Sequence, residues 1–233
     1  MRLICFPHAG GFASYYNPMK RLQKEGIDVI TYEYAGRGRR YGEAFYKNAE
    51  ECIQSIYREL TKENSNEEYA FFGHSMGAYI AYEIALQMQL DSRPGPNALF
   101  LSGAVPPEYA TESGIDITDD AQVVSYLQSM DGLAPEIISY ESFMKMLLPV
   151  VKSDLKMLED YTLRTQEQPF SFPICMFYGE KDDKLVSPEK MSEWGKKAAS
   201  YKEFIFPGGH FYLQEFWDCI LLEIKKTLME KQG

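Results

Sequence analysis

"FFGHSMGAY", residues 71–79, is the stretch on which the fold turns. Gly73-His74-Ser75-Met76-Gly77 within it is a G-x-S-x-G pentapeptide. Five residues with three fixed carry little information alone, so the flanks matter. Upstream, "YAFFGH" (69–74) is a near-continuous apolar run with the composition of a buried strand. Downstream, "MGAYIAYEIALQMQ" (76–89) places Ala78, Ala81, Ile84, Ala85 and Met88 on one helical face. Strand, sharp turn and helix are the setting that a nucleophile elbow needs. Gly73 and Gly77 keep Cβ atoms out of a close strand–helix approach, and the new helix aims N–H groups at the serine. A helix cap would account for Ser75 but not for both glycines.

Similar apolar runs recur on both sides of this segment. "RLICFP" (2–7), "DVITYEY" (28–34), "NALFLSGA" (97–104), "FPICMFYG" (172–179) and "YKEFIFP" (201–207) are bounded by Gly, Pro or Asp. Helical spacing lies between them and again at the C-terminus, where Phe216, Ile220, Leu221, Ile224 and Leu228 form a stripe. The alternation predicts an α/β fold, with a mostly parallel sheet flanked by helices. The whole chain, 1–233, is expected to form one domain. Residues 105–171 break the rhythm, being too long a stretch for one crossover helix. Leu147, Val150, Val151, Leu155, Leu158 and Tyr161 make one apolar stripe there, and Val123, Val124, Leu127 and Met130 another. This interval is expected to be a helical lid over the carboxyl edge of the sheet, where such sheets bind ligands.

A serine nucleophile needs a base and an orienting acid, and in this fold they follow it in the order acid, then His. Of the three histidines, only His210, in "FPGGHFYL", is C-terminal to Ser75. The acid should follow the preceding strand, where Asp182 and Asp183 are adjacent. The D-x-x-V spacing to Val186 favours Asp183. Backbone N–H groups of Ala9, in "FPHAGG" (6–11), and of Met76 are the expected oxyanion donors.

Bulk composition narrows the alternatives. The net charge of −10 argues against sequence-independent nucleic-acid binding. Cys5, Cys52, Cys175 and Cys219 are widely spaced, lack a C-x-x-C pattern and are expected to be buried thiols. No apolar run approaches the ~20 residues of a membrane span, and "MRLICFPHAGG" is too short for a signal-peptide core. A cytoplasmic protein without membrane attachment is expected. "GRGRRYG" resembles a dinucleotide fingerprint, but Tyr41 stands where its last glycine belongs. Arg37, Arg39 and Arg40 are therefore a cationic cluster on an acidic chain, suited either to docking or, more commonly, to a solvated or salt-bridged loop. Lys145, Lys152 and Lys156 are a second such set.

Taken together and in order, "FPHAGG", "YAGRGRR" (34–40), "GHSMG", "DDKLVSPEKMSEW" (182–194) and "PGGHFYL" (207–213) resemble type II thioesterases. These are the stand-alone editing enzymes of nonribosomal peptide and polyketide synthesis. The resemblance spans nearly the whole chain and is weakest in the lid. It implies the α/β-hydrolase fold and hydrolysis of acyl thioesters on the phosphopantetheine arm of carrier proteins. Ser75 would be the nucleophile, Asp183 the acid and His210 the base, with Ala9 and Met76 as oxyanion donors. No cofactor or metal is implied, and a monomer acting on carrier domains is expected. The alternatives are a medium-chain fatty acyl thioesterase, a general carboxylesterase and a non-catalytic binding protein of the same fold.

Overall fold

The computed structural model describes residues 1–62, 67–110, 113–159, 161–182 and 187–229. Six parallel strands form one sheet in the order β2-β1-β3-β4-β5-β6. They are β1 (Arg2–Phe6), β2 (Asp28–Thr31), β3 (Tyr69–His74), β4 (Leu99–Ser102), β5 (Ile174–Gly179) and β6 (Tyr201–Phe206). Each lies inside one of the apolar runs read from the sequence. The helices are α1 (Ala49–Lys62), α2 (Met76–Leu90), α3 (Asp120–Ser129), α4 (Pro135–Ile138), α5 (Glu141–Glu159), α6 (Pro188–Ser192) and α7 (Leu213–Met229). A run of 3-10 turns, Ala13–Glu25, joins β1 to β2.

Alternation along the strands divides the core. Ile4, Phe6, Phe71, Leu99, Leu101, Ile174 and Met176 face α1, α2 and α6. Leu3, Cys5, Phe72, Phe100, Cys175 and Phe177 face the Ala13–Glu25 turns and α7. Both faces are covered, which is why these strands read as continuous apolar runs rather than alternating ones.

Helix α2 departs from the expected single face. Eleven of its residues are buried, including Glu83, because it is enclosed on more than one side. α1 packs along it, and Arg164, in the segment returning from α5, reaches Glu83. In α7 the stripe holds at Ile220, Leu221, Ile224 and Leu228, while Phe216 sits at a kink with non-helical dihedrals.

The interval between β4 and β5 carries α3, α4 and α5, with their own apolar cluster around Val123, Leu127, Leu147, Val151 and Leu155. Tyr161, counted in the expected stripe, lies beyond the end of α5, and Met130 is the C-cap of α3. Strand order reverses beside β1: β2 lies on one side and β3 on the other. The loops leaving β1 and β3 therefore open a crevice at a topological switch point, where open α/β sheets bind ligands.

Candidate active site

Ser75 stands at that switch point, between β3 and α2. It has φ 55° and ψ −121°, a conformation unfavourable for a residue with a side chain. Its side chain makes no capping hydrogen bond, so the cap reading of this serine fails. Its N–H donates to Ser102 O at 2.8 Å, tying the elbow to the end of β4. Both glycines are required by space. A Cβ on Gly73 would lie 2.1 Å from Gly77 O, and one on Gly77 would lie 1.9 Å from Phe6 O.

The loops after β5 and β6 are knitted together. Glu180 N–H donates to Phe206 O at 2.8 Å, and Lys181 N–H to Gly208 O at 2.9 Å. This pairing brings Asp182 to His210, with Oδ2 2.6 Å from Nδ1. Both are buried, at 5% and 2% exposure. Among the described residues the carboxylate meeting the imidazole is Asp182, the neighbour of the Asp183 that the sequence favoured. Asp183 and Val186 lie outside the described residues. The connection is short: Asp182 N–H closes a turn onto Gly179 O at 3.2 Å, which holds Asp182 against the β6 loop. With Nδ1–H directed to a carboxylate, Nε2 is left as the proton acceptor. It is buried and unpartnered among the described residues.

The other two histidines have different surroundings. His74 Nδ1 lies 2.9 Å from Ser102 Oγ, which lies 2.5 Å from Tyr212 OH. Burial, then the proximity of His210 and His8, holds His74 well below the usual histidine pKa. His8, with Nδ1 3.1 Å from Tyr16 OH, is pushed down to about 3, chiefly by burial and then by His210 and Arg37. Both are neutral packing groups at pH 7. Among the described residues only His210, of the three histidines, pairs with a carboxylate.

Ala9 and Met76, the expected oxyanion donors, flank the crevice. Met76 opens α2, and Ala9 lies in the turn after β1. Among the described residues neither N–H donates a hydrogen bond. Ser75 and Met76 line a cavity of about 390 Å³ together with Gly103, Tyr79, Tyr126 and Leu155. Residues of the β4–β5 interval thus wall the space beside the serine. Among the described residues no cluster of His, Cys, Asp or Glu is arranged to hold a metal ion.

Some sequence expectations change. Of the two fates weighed for the arginine cluster, Arg37 takes the salt-bridged one: it is 2% exposed and pairs with Asp154 of α5, at 2.6 and 2.5 Å. Arg40 pairs with Glu43 at 2.6 Å, leaving Arg39 as the exposed member of the trio. Lys145 sits 3.8 Å from Glu141, Lys152 pairs with Asp120, and Lys156 is exposed. Cys5, Cys52 and Cys175 are buried as expected, but Cys219 is exposed on α7. The Arg37–Asp154 and Arg164–Glu83 pairs, absent from the sequence reading, join residues 117 and 81 positions apart. No local spacing signals such pairs.

A parallel sheet, an elbow serine at its carboxyl edge and a buried Asp–His pair from the last two strand loops define an α/β-hydrolase. Comparison with known proteins narrows the class. Residues 1–227 match the thioesterase domain family, and the chain belongs to it. A probable cadicidin biosynthesis thioesterase of Streptomyces griseus is 30% identical over 98% of this chain, which spans 62% of that relative's length. The gramicidin S biosynthesis protein GrsT of Aneurinibacillus migulanus is 31% identical over 92% of this chain and 84% of its own. Among solved structures, the RedJ thioesterase of the prodiginine pathway of Streptomyces coelicolor superposes with a TM-score of 0.87. It is 27% identical, with 97% of this chain and 90% of that one covered.

Proposed function

We propose that the chain is a serine thioesterase that clears acyl groups from the phosphopantetheine arm of carrier proteins in nonribosomal peptide or polyketide synthesis. The observation that carries this reading is the Asp182–His210 pair at 2.6 Å, whose imidazole packs against Gly103 of the cavity that the strained elbow serine also lines, in a chain of the thioesterase family. Relatives named for cadicidin, gramicidin S and prodiginine biosynthesis support the pathway class.

In the proposed mechanism His210 Nε2 takes the proton of Ser75 Oγ as it attacks the thioester carbonyl. Asp182 holds the imidazole by Nδ1–H and stabilises the imidazolium. The N–H groups of Ala9 and Met76 bind the tetrahedral oxyanion, each worth roughly 3–4 kcal/mol as in other hydrolases. The C–S bond breaks and His210 protonates the departing thiolate. Water then attacks the acyl-serine, giving its proton to His210, and the acid leaves as Ser75 is reprotonated. The reading needs no metal or cofactor of the protein's own, because the substrate brings the phosphopantetheine. It places the protein in the cytoplasm as a monomer acting on carrier domains, with no nucleic-acid or membrane role.

The test compares an acetyl-loaded carrier protein with a p-nitrophenyl ester. Fast deacylation of the carrier, abolished in Ser75→Ala and outpacing ester cleavage, is expected. Ester cleavage without carrier deacylation would indicate a carboxylesterase. Preference for medium-length acyl chains on a fatty-acid carrier would indicate the fatty acyl alternative. No hydrolysis of either substrate would indicate a binding protein.

A further inference from the structure

The geometry points to Asp154 of α5 as a positioning residue for the oxyanion hole, through which the helical insertion controls the reacting centre. This rests on the serine thioesterase reading above. Asp154 is 3% exposed and lies far from Ser75 in sequence, yet its carboxylate grips the loop that carries Ala9. Oδ2 accepts the Gly10 N–H at 2.8 Å and an Arg37 N–H at 2.6 Å, and Oδ1 accepts a second Arg37 N–H at 2.5 Å. Arg37 in turn donates to Gly11 O at 3.3 Å.

These bonds fix the two residues that follow Ala9. Gly11 N–H donates to His8 O at 2.8 Å, closing the turn. His8 C=O and Ala9 N–H belong to one trans peptide and point in opposite directions. Holding His8 O toward Gly11 therefore aims Ala9 N–H away from the turn. Loosening Gly10 or Gly11 would release that peptide plane. The contact is also steric: Gly10 has φ +75°, and a Cβ there would lie 2.6 Å from Val151 Cγ2, one turn before Asp154 on the same face of α5. A displacement of α5 thus disturbs the donor geometry directly.

A buried ion pair alone is weak evidence of a contribution to stability, since apolar replacements often serve as well. What singles out this pair is its third bond, to backbone adjoining the oxyanion donor. Asparagine at 154 can still accept from Gly10 but loses the charge that holds Arg37; alanine loses both.

The experiment measures kcat and KM for acetyl-carrier deacylation by wild type, Ser75→Ala, Asp154→Asn and Asp154→Ala. Affinity for a trifluoromethyl ketone analogue of the thioester, whose adduct places an oxyanion in the hole, is measured beside them. Circular dichroism and thermal melts identify the folded variants. Expected are kcat losses of about tenfold for Asn and about a hundredfold for Ala, KM within twofold, and matching losses of ketone affinity. A purely stabilising role would lower the melting temperature and leave kcat per folded molecule and ketone affinity unchanged. Folded Asp154→Asn with wild-type kcat, or with only a raised KM, overturns the inference. If Asp154→Ala does not fold, Asp154→Asn alone decides. Wild type lacking Ser75-dependent hydrolysis would instead overturn the thioesterase reading, and this inference with it.

Discussion

Replacing Asp182 by asparagine separates the two adjacent aspartates and tests the charge on His210. The structure places Oδ2 2.6 Å from His210 Nδ1, with both side chains almost free of solvent. When His210 becomes an imidazolium, its charge centre lies about 4 Å from that of the carboxylate. At an effective dielectric of about 20 their attraction is about 4 kcal/mol, or about a thousandfold in rate. Asparagine can also present its amide N–H to Nδ1 and stabilise the tautomer with the proton on Nε2, which cannot act as base. Together these predict a fall in kcat of about 10³–10⁴, with KM changed less than threefold. Asp183→Asn should alter kcat less than threefold, because Asp182 already occupies Nδ1. Single-turnover deacylation of an acetyl-loaded carrier, followed by intact mass, reads both variants. Asp182→Asn within tenfold of wild type, or Asp183→Asn losing as much, would refute the assignment.

Other substitutions probe the scaffold around the site. Gly77→Ala drives a Cβ to 1.9 Å from Phe6 O, so α2 must leave β1. A loss of about 3 kcal/mol or more is expected in urea unfolding, and a folded variant losing under about 1 kcal/mol would contradict the elbow packing. Arg164→Met strips the fully buried Glu83 of a partner at 2.7 Å and should cost about 2–4 kcal/mol. The double variant with Glu83→Gln should regain at least half of that, and no regain would show that the carboxylate was not the problem. His8 and His74 are held neutral in the folded chain, so below pH 6.5 the unfolded chain binds more protons. The His8 contribution is present above that pH and lost as pH falls toward about 3, at about 1.4 kcal/mol per unit, and the His74 contribution is lost in the same direction. Urea unfolding should show lower stability at pH 5 than at pH 7, with about 2 kcal/mol of the difference from His8 and a further part from His74 that His74→Asn removes, and equal stability at both pH values would contradict their burial.

The strands were legible because both faces of the sheet are covered, which writes each strand as an apolar run between turn residues. The elbow was legible because space around Gly73 and Gly77 admits no side chain. His210 followed from chain order and from the scarcity of histidine. The acid was legible only to within one position. Asp182 and Asp183 are equivalent in composition, and the Gly179 turn that brings Asp182 to His210 depends on how the β5 and β6 loops meet. The fate of the arginines was illegible for a related reason. Arg37 sits in a charged, loop-like segment, and its partner Asp154 belongs to an apolar helix stripe 117 residues later. Cys219 was misjudged because neighbouring apolar residues face the core while it does not. α2 was read as one-sided because periodicity shows which residues are apolar, not how many neighbours enclose a central helix.

In the proposed reaction Ser75 carries the acyl group between the carrier and water. Rapid quenching of the enzyme with an acetyl-loaded carrier, followed by peptide mass analysis, tests it directly. A transient acetyl group is expected on the peptide containing Ser75, formed and lost at rates that match turnover, and absent from Ser75→Ala, which should not deacylate the carrier. Continued hydrolysis by Ser75→Ala, or an acetyl group on another residue with matching kinetics, would contradict it.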